Sequence, residues 1–352
     1  MKSIAGTLAA PFPYFGGKSN ACETVWAAFG DVDNYVEPFV GSAAMLLGAP
    51  DGKRVETIND ADGFVANFWR AVSHDAEAVA EACDWPTNEN DLLARHSWLV
   101  RQSAGLTDRL HADPDFYDAR IAGWWCWGAC NWIGSGWCSG EGPWIHDGER
   151  IVLGNAGRGV NRKLPHLGDA GRGVNRKLPH LSAGRGVNRK LPHLSAGQGA
   201  SAARSAYIHE WFGMLQSRLR DVRVTCGDWG RVVKDSVTTR HGMTALFLDP
   251  PYTKGEMDYA AGGVGGALAD EVRAWCLKNG GNPLLRIVLC GHAGEHDELL
   301  AHGWQTRTWT ARKGYASTDE AVENSASETL WCSPQCVADV PVQAGLFAEV
   351  QP

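Results

Sequence analysis

Ala245-Leu246-Phe247-Leu248-Asp249-Pro250-Pro251-Tyr252 is an apolar run that ends abruptly at two prolines. Four consecutive apolar residues with such a stop read as a buried strand. At its end stand one carboxylate, a pair of restrained carbonyls and one aromatic ring. Proline holds φ at about −65° and restrains the residue before it, so the carbonyls of Asp249 and Pro250 have little freedom. Acceptors beside a flat ring form a cradle for a planar amine, of which the amino group of a nucleobase is one.

Working outward, the same half of the chain alternates strands with helices. Val222–Thr225 and Leu284–Cys290 read as further strands, and residues 268–279 as an amphipathic helix stopped by Gly280-Gly281. Toward the N-terminus, Ser19 is expected to cap a helix over Ala21–Phe29. Short strands are expected at Tyr35-Val36-Glu37 and Val55–Ile58. Phe64, Phe68 and Val72 then recur as on one helix face within residues 61–82. Strands alternating with helices imply an α/β fold with a mainly parallel sheet. The middle, residues 76–220, reads as helical and then irregular. The expected layout is one discontinuous domain, 1–75 with 221–352, interrupted by a 76–220 insert.

Composition narrows the class. With 44% hydrophobic and 21% charged residues over 352 positions, the chain has enough apolar mass for a real core. No run approaches 18 apolar residues and the first residues lack a signal-peptide core, so a cytoplasmic protein without membrane contact is expected. Ten cysteines without a regular framework read as free thiols in a reducing compartment. Cys126 with Cys130, and Cys332 with Cys336, have spacing a metal could use, but no matching quartet accompanies them and no metal is expected.

Charge is unevenly spread. Between Ala156 and Gly199 nine Lys/Arg face a single acid, Asp169, a local +8 that leaves −15 on the rest of a chain of net charge −7. That island is an internal repeat. Gly-Arg-Gly-Val-Asn-Arg-Lys-Leu-Pro-His-Leu begins at Gly157, Gly171 and Gly184. A unit of about 13 residues is too short for a solenoid and offers little apolar surface, so an extended basic loop is expected. A basic island on an acidic body can dock a polyanion, with Arg158, Arg162, Lys163, Arg172, Arg176 and Lys177 as its candidate phosphate contacts. A solvated insertion that merely happens to be basic explains the charge equally well.

A second motif, Glu37-Pro38-Phe39-Val40-Gly41-Ser42, joins a strand end to a glycine turn. Such a turn lets backbone approach a ligand at the carboxyl edge of a sheet. Asp60 follows Gly41 by nineteen residues, at the end of the next strand, where such folds hold ribose hydroxyls. Gly-x-Gly-x-x-Gly is absent, so the ligand need not be a dinucleotide. Lys18 follows two glycines in Tyr14-Phe15-Gly16-Gly17-Lys18, without the spacing of a phosphate loop.

Taken in order with Asn59-Asp60 and Glu328-Thr329-Leu330-Trp331, these motifs resemble the Dam-type (D12 class) S-adenosylmethionine-dependent DNA adenine-N6 methyltransferases, over roughly 10–75 and 222–335. The resemblance implies a Rossmann-like methyltransferase fold with the middle insert choosing the target in double-stranded DNA. It implies S-adenosylmethionine bound along Tyr14, Gly16, Gly17, Lys18, Glu37, Pro38, Phe39, Gly41, Ser42 and Asp60, with Asp228 and Asp249 closing the site. Asp249, Pro250, Pro251 and Tyr252 would hold a flipped base, its amine hydrogens accepted by the Asp249 carboxylate and the Pro250 carbonyl. A monomer or weak dimer is expected.

One departure stands out: the family usually carries a second glycine where this chain has Ser42-Ala43. Asp rather than Ser before Pro-Pro-Tyr favours adenine, with cytosine N4 and a catalytically silent DNA-binding relative as alternatives. Six of sixteen tryptophans fall between Trp124 and Trp144, and they read as insert core before they read as a stacking surface. Gly262-Gly263 and Gly265-Gly266 suit either a lid or a surface loop.

Overall fold

The computed structural model describes residues 8–14, 18–132, 136–138, 144–146, 151–153, 201–251, 265–308 and 328–338. Within them lie α1 (Cys22–Phe29), β1 (Asn34–Glu37), α2 (Ala44–Leu47), β2 (Val55–Asp60) and α3 (Gly63–Cys83). Next come α4 (Glu89–Ala112), α5 (Ala119–Asn131), the short strands β3 (Trp144–His146) and β4 (Ile151–Leu153), and α6 (Ser201–Leu219). The chain continues through β5 (Val222–Cys226), β6 (Thr244–Leu248), α7 (Gly265–Asn279), β7 (Leu285–His292), β8 (Gln305–Thr308) and β9 (Glu328–Cys332).

Seven strands form one sheet in the order β5-β2-β1-β6-β7-β9-β8. The five from β5 to β7 are parallel, whereas β9 is antiparallel to both β7 and β8. This is the expected mainly parallel, Rossmann-like α/β sheet, with an antiparallel edge that strand-and-helix alternation did not reveal. The order reverses between β1 and β6, a switch point whose crevice lies outside the carboxyl ends of the strands.

Alternation along the strands explains why both faces are covered. Tyr35, Ala245, Phe247, Val288 and Cys290 face a core built with α1, α3, α5 and α6. Val36, Leu246, Leu248, Ile287 and Leu289 face a smaller core with Val272 and Cys276 of α7. Successive side chains point to opposite faces, so a strand buried on both sides must be apolar throughout. Leu246 and Phe247, neighbours in the opening motif, thus belong to different cores.

Two local expectations are corrected. Ser19 does not cap α1; its N-cap is Ala21, without a side-chain bond. The chain first makes a turn in which Ala21 N donates to Lys18 O at 2.9 Å, and Ser19 sits inside that turn. Gly265-Gly266 open α7 rather than lying in a loop. Helix α3 crosses residues 75 and 76 with one non-helical residue, Asp75, at φ −144° and ψ 71°. No helix among the described residues is long and apolar enough to cross a membrane.

Candidate active site

Parallel strands bring their final residues to one edge. Glu37 ends β1, Asp60 ends β2, and Asp249 follows β6, so three carboxylates meet at the switch point. Such a gathering needs a counter-charge, and Lys18 provides it. Its Nζ lies 3.1 Å from Asp249 Oδ2 and 3.7 Å from Glu328 Oε1. Lys18 is only 4% exposed, against 20% for Asp249 and 15% for Glu328. Burial alone would lower the Lys18 pKa, but the carboxylate of Asp249, then Cys290 and Glu328, hold it above its ordinary value. It is a permanent cation.

Glu37 behaves in the opposite way. Burial, with Asp249 adding like-charge repulsion, pushes its carboxyl up to about 8, although the Tyr35 hydroxyl donates to Oε2 at 2.9 Å and Leu46 N–H also donates. The buried Tyr35 phenol is itself raised, first by burial and then by Glu37. Burial thus favours the protonated form of Glu37, beside the Lys18–Asp249 pair.

The glycine turn after β1 is tightly built. Gly41 has φ +43°, and a Cβ there would stand 2.4 Å from Tyr14 Cε1, so the Tyr14 ring occupies the place of a side chain. Gly41 N–H donates to Asp60 Oδ2 at 3.0 Å, and Asp62 N–H to Asp60 Oδ1 at 2.9 Å. Burial and the neighbouring Asp62 nevertheless push Asp60 up to about 7 against those two bonds. Trp69 of α3 donates from Nε1 to Gly41 O at 2.9 Å. Ala43, where the resembled family usually has glycine, sits in the left-handed region at φ 52° and ψ 29°. An alanine thus stands in a backbone region that favours glycine.

Asn59 ties three strand ends together. Its Nδ2 donates to Pro38 O at 3.0 Å and to Gly227 O at 2.9 Å, while Thr225 Oγ1 lies 2.9 Å from its Oδ1. The segments after β1 and β5 are thereby bound to the end of β2.

Residues 14–96 match the D12 class N6 adenine-specific DNA methyltransferase family. The matched segment runs from Tyr14 through β1, α2, β2 and α3 into α4, and so contains Lys18, Glu37, Gly41 and Asp60. The match spans less than half of the chain, and over that segment the chain is similar to N6 adenine-specific DNA methyltransferases. No curated protein matches the chain.

Most of the expected site residues fall among the described ones. Tyr14, Lys18, Glu37, Gly41, Asp60 and Asp249 converge on the crevice. Pro38 is tied to Asn59, Ser42 lies in the turn before α2, and Pro250 is buried with Pro251 partly so. The Phe39 ring lies 6.0 Å from that of Trp229. Asp228 is exposed at the end of β5 and accepts from Gly230 N–H at 2.9 Å. Gly16, Gly17, Tyr252 and Gly262-Gly263 lie outside the described residues, as do Arg158, Arg162, Lys163, Arg172, Arg176 and Lys177 of the repeats.

Two contributors escaped sequence reasoning. Trp69 reads only as a core residue of a helix, since nothing in its spacing announces a bond to a distant carbonyl. Glu328 had been noted as part of a motif but given no role. The ten cysteines are free thiols, and no three His, Cys, Asp or Glu side chains among the described residues form a metal-binding group. A cavity of about 240 Å³ lies apart, between α3, α4 and β5. Its Arg70, His111 and Arg231 are engaged with backbone carbonyls, among them Leu110 O and Cys226 O, and hold the end of α4 to β5.

Proposed function

We propose that the crevice binds S-adenosylmethionine and that Asp249 presents a flipped adenine to it. The observation that carries the reading is the Lys18–Asp249 pair at the switch point, with Gly41 and Asp60 on the neighbouring strand ends. The donor set suits this ligand. Two carboxylates around one lysine leave the edge net negative when both are ionised, which favours a sulfonium cation. Asp60 can still accept from ribose hydroxyls, because each carboxylate oxygen has a second lone pair beyond its backbone bond. Gly41, with Tyr14 in place of a side chain, permits close approach of backbone.

When bound, S-adenosylmethionine supplies an electrophilic methyl group. The protein's part is to make the amine a nucleophile. The N6 lone pair is delocalised into the ring, and accepting both N–H hydrogens, by the Asp249 carboxylate and the Pro250 carbonyl, localises it. Lys18 holds Asp249 in place, so the acceptor is organised before substrate arrives. As the amine takes the methyl group, the methyl–sulfur bond breaking to leave a neutral thioether, the nitrogen would become cationic, and Asp249 would stabilise that charge until one N–H proton is released to solvent. Tyr252 would stack on the base. A paired base buries its amine in the duplex, so the target must leave the stack.

Incubating the protein with labelled cofactor and unmethylated double-stranded DNA, then separating nucleosides, tests the reading. N6-methyladenine from wild type and none from Asp249→Ala is expected. Equal product from both, or N4-methylcytosine, would overturn it.

A further inference from the structure

The antiparallel edge of the sheet brings to the site a side chain that a purely parallel sheet would place elsewhere. Because β9 runs against β7, its first residue, Glu328, pairs with His292, the last residue of β7. Glu328 therefore stands at the carboxyl edge, although it begins its strand. Its Oε1 reaches Lys18 Nζ at 3.7 Å, and its Oε2 is buried with no hydrogen-bond partner among the described residues. A buried carboxylate with one oxygen unsatisfied is costly, and neither core needs a charge at this place.

We infer that Glu328 is a positioning residue for methyl transfer, holding the Lys18 ammonium so that Lys18 in turn fixes Asp249. This rests on the reading of Asp249 as the acceptor of the amine hydrogens. A lysine ammonium is a compact charge on a flexible stem, and one carboxylate partner leaves it free to swing. Two carboxylates, from β6 and β9, restrain it from two strands at once. The segment that carries Lys18 and the edge strand that carries Glu328 thus jointly set the orientation of a side chain that neither contains. Cys290 of β7 is the further titratable group beside the ammonium among the described residues.

Glu328→Gln keeps shape and removes charge. It is expected to lower kcat by about 10–100-fold with KM for DNA and for cofactor unchanged. Glu328→Asp should recover part of kcat. Against Lys18→Met the effects should not add: the double variant is no slower than Lys18→Met alone. In ligand-free protein, the NMR order parameter of the Lys18 side chain should fall in Glu328→Gln. Calorimetry with S-adenosylhomocysteine counts folded sites, so misfolding cannot imitate the result. Wild-type kcat in Glu328→Gln, or additive losses in the double variant, overturns the inference. Absence of N6-methyladenine from wild type would instead overturn the function itself.

Discussion

The crevice and the tryptophan-rich helices bury side chains for opposite reasons. At the sheet edge, Lys18, Glu37 and Asn59 are buried although they are polar, and each is held by named partners. In α5, Trp125 and Trp127 are buried because they are apolar, and Phe12 packs edge-on to Trp125 at 4.8 Å between centroids. Arg95 is boxed by the rings of Trp85, Trp124 and Trp127, the nearest 4.4 Å from its guanidinium. Gly128 is needed there, since a Cβ would stand 1.8 Å from Trp137 Cζ2. Apolar burial returns free energy in proportion to area, whereas polar burial returns it only through specific partners. Changes at the crevice should thus appear first in chemistry, and changes in the helices first in stability.

The largest expected effect is on rate. Asp249→Ala should reduce N6-methyladenine formation by more than about 1000-fold while the unfolding midpoint shifts little. Next, Trp127→Ala should destabilise by about 3–5 kcal/mol in chemical denaturation, with kcat per folded molecule retained. It removes a fully buried ring and the bond from its Nε1 to Trp85 O. A variant that folds normally but fails to turn over would put the tryptophans into the chemistry and collapse the contrast.

A pH series sharpens the polar side. The Glu37 carboxyl rises from 4.5 to about 8 on folding, so between those values the folded protein holds a proton that the unfolded chain has released. Stability therefore falls as pH rises through that window. Glu37→Gln retains an acceptor for Tyr35 and should flatten the dependence, gaining roughly 1–3 kcal/mol over wild type above pH about 8. Identical pH profiles for the two proteins would show Glu37 to be charged in the fold. The smallest effect is expected at Ala43. Glycine adopts the left-handed conformation without a Cβ penalty, so Ala43→Gly should stabilise by about 0.5–1 kcal/mol, read as a raised Tm.

Much of this was legible in the chain. The apolar run before Asp249, the glycine turn after Glu37 and the spacing to Asp60 require only local rules, and they predicted the parallel α/β sheet. Of the clustered tryptophans, Trp125 and Trp127 are buried as a core reading expects, while Trp124, Trp132 and Trp137 are half-buried. Ser19 misled because a capping residue is identified only once the first helical residue is known, and a turn puts the N-cap two positions later, at Ala21.

Local spacing determined the ends of β1 and β6, the glycine at φ > 0 and the residue types able to accept an amine, since each depends on neighbours within a few positions. Tertiary structure decided which charges meet. Lys18 lies 231 residues before Asp249 and 310 before Glu328, and a sequence states no distance between them. Only the strand order, and the reversal of β9 against β7, brings the two carboxylates to one lysine. Electrostatic coupling falls with distance through a low-dielectric interior, so that convergence sets the chemistry of Asp249.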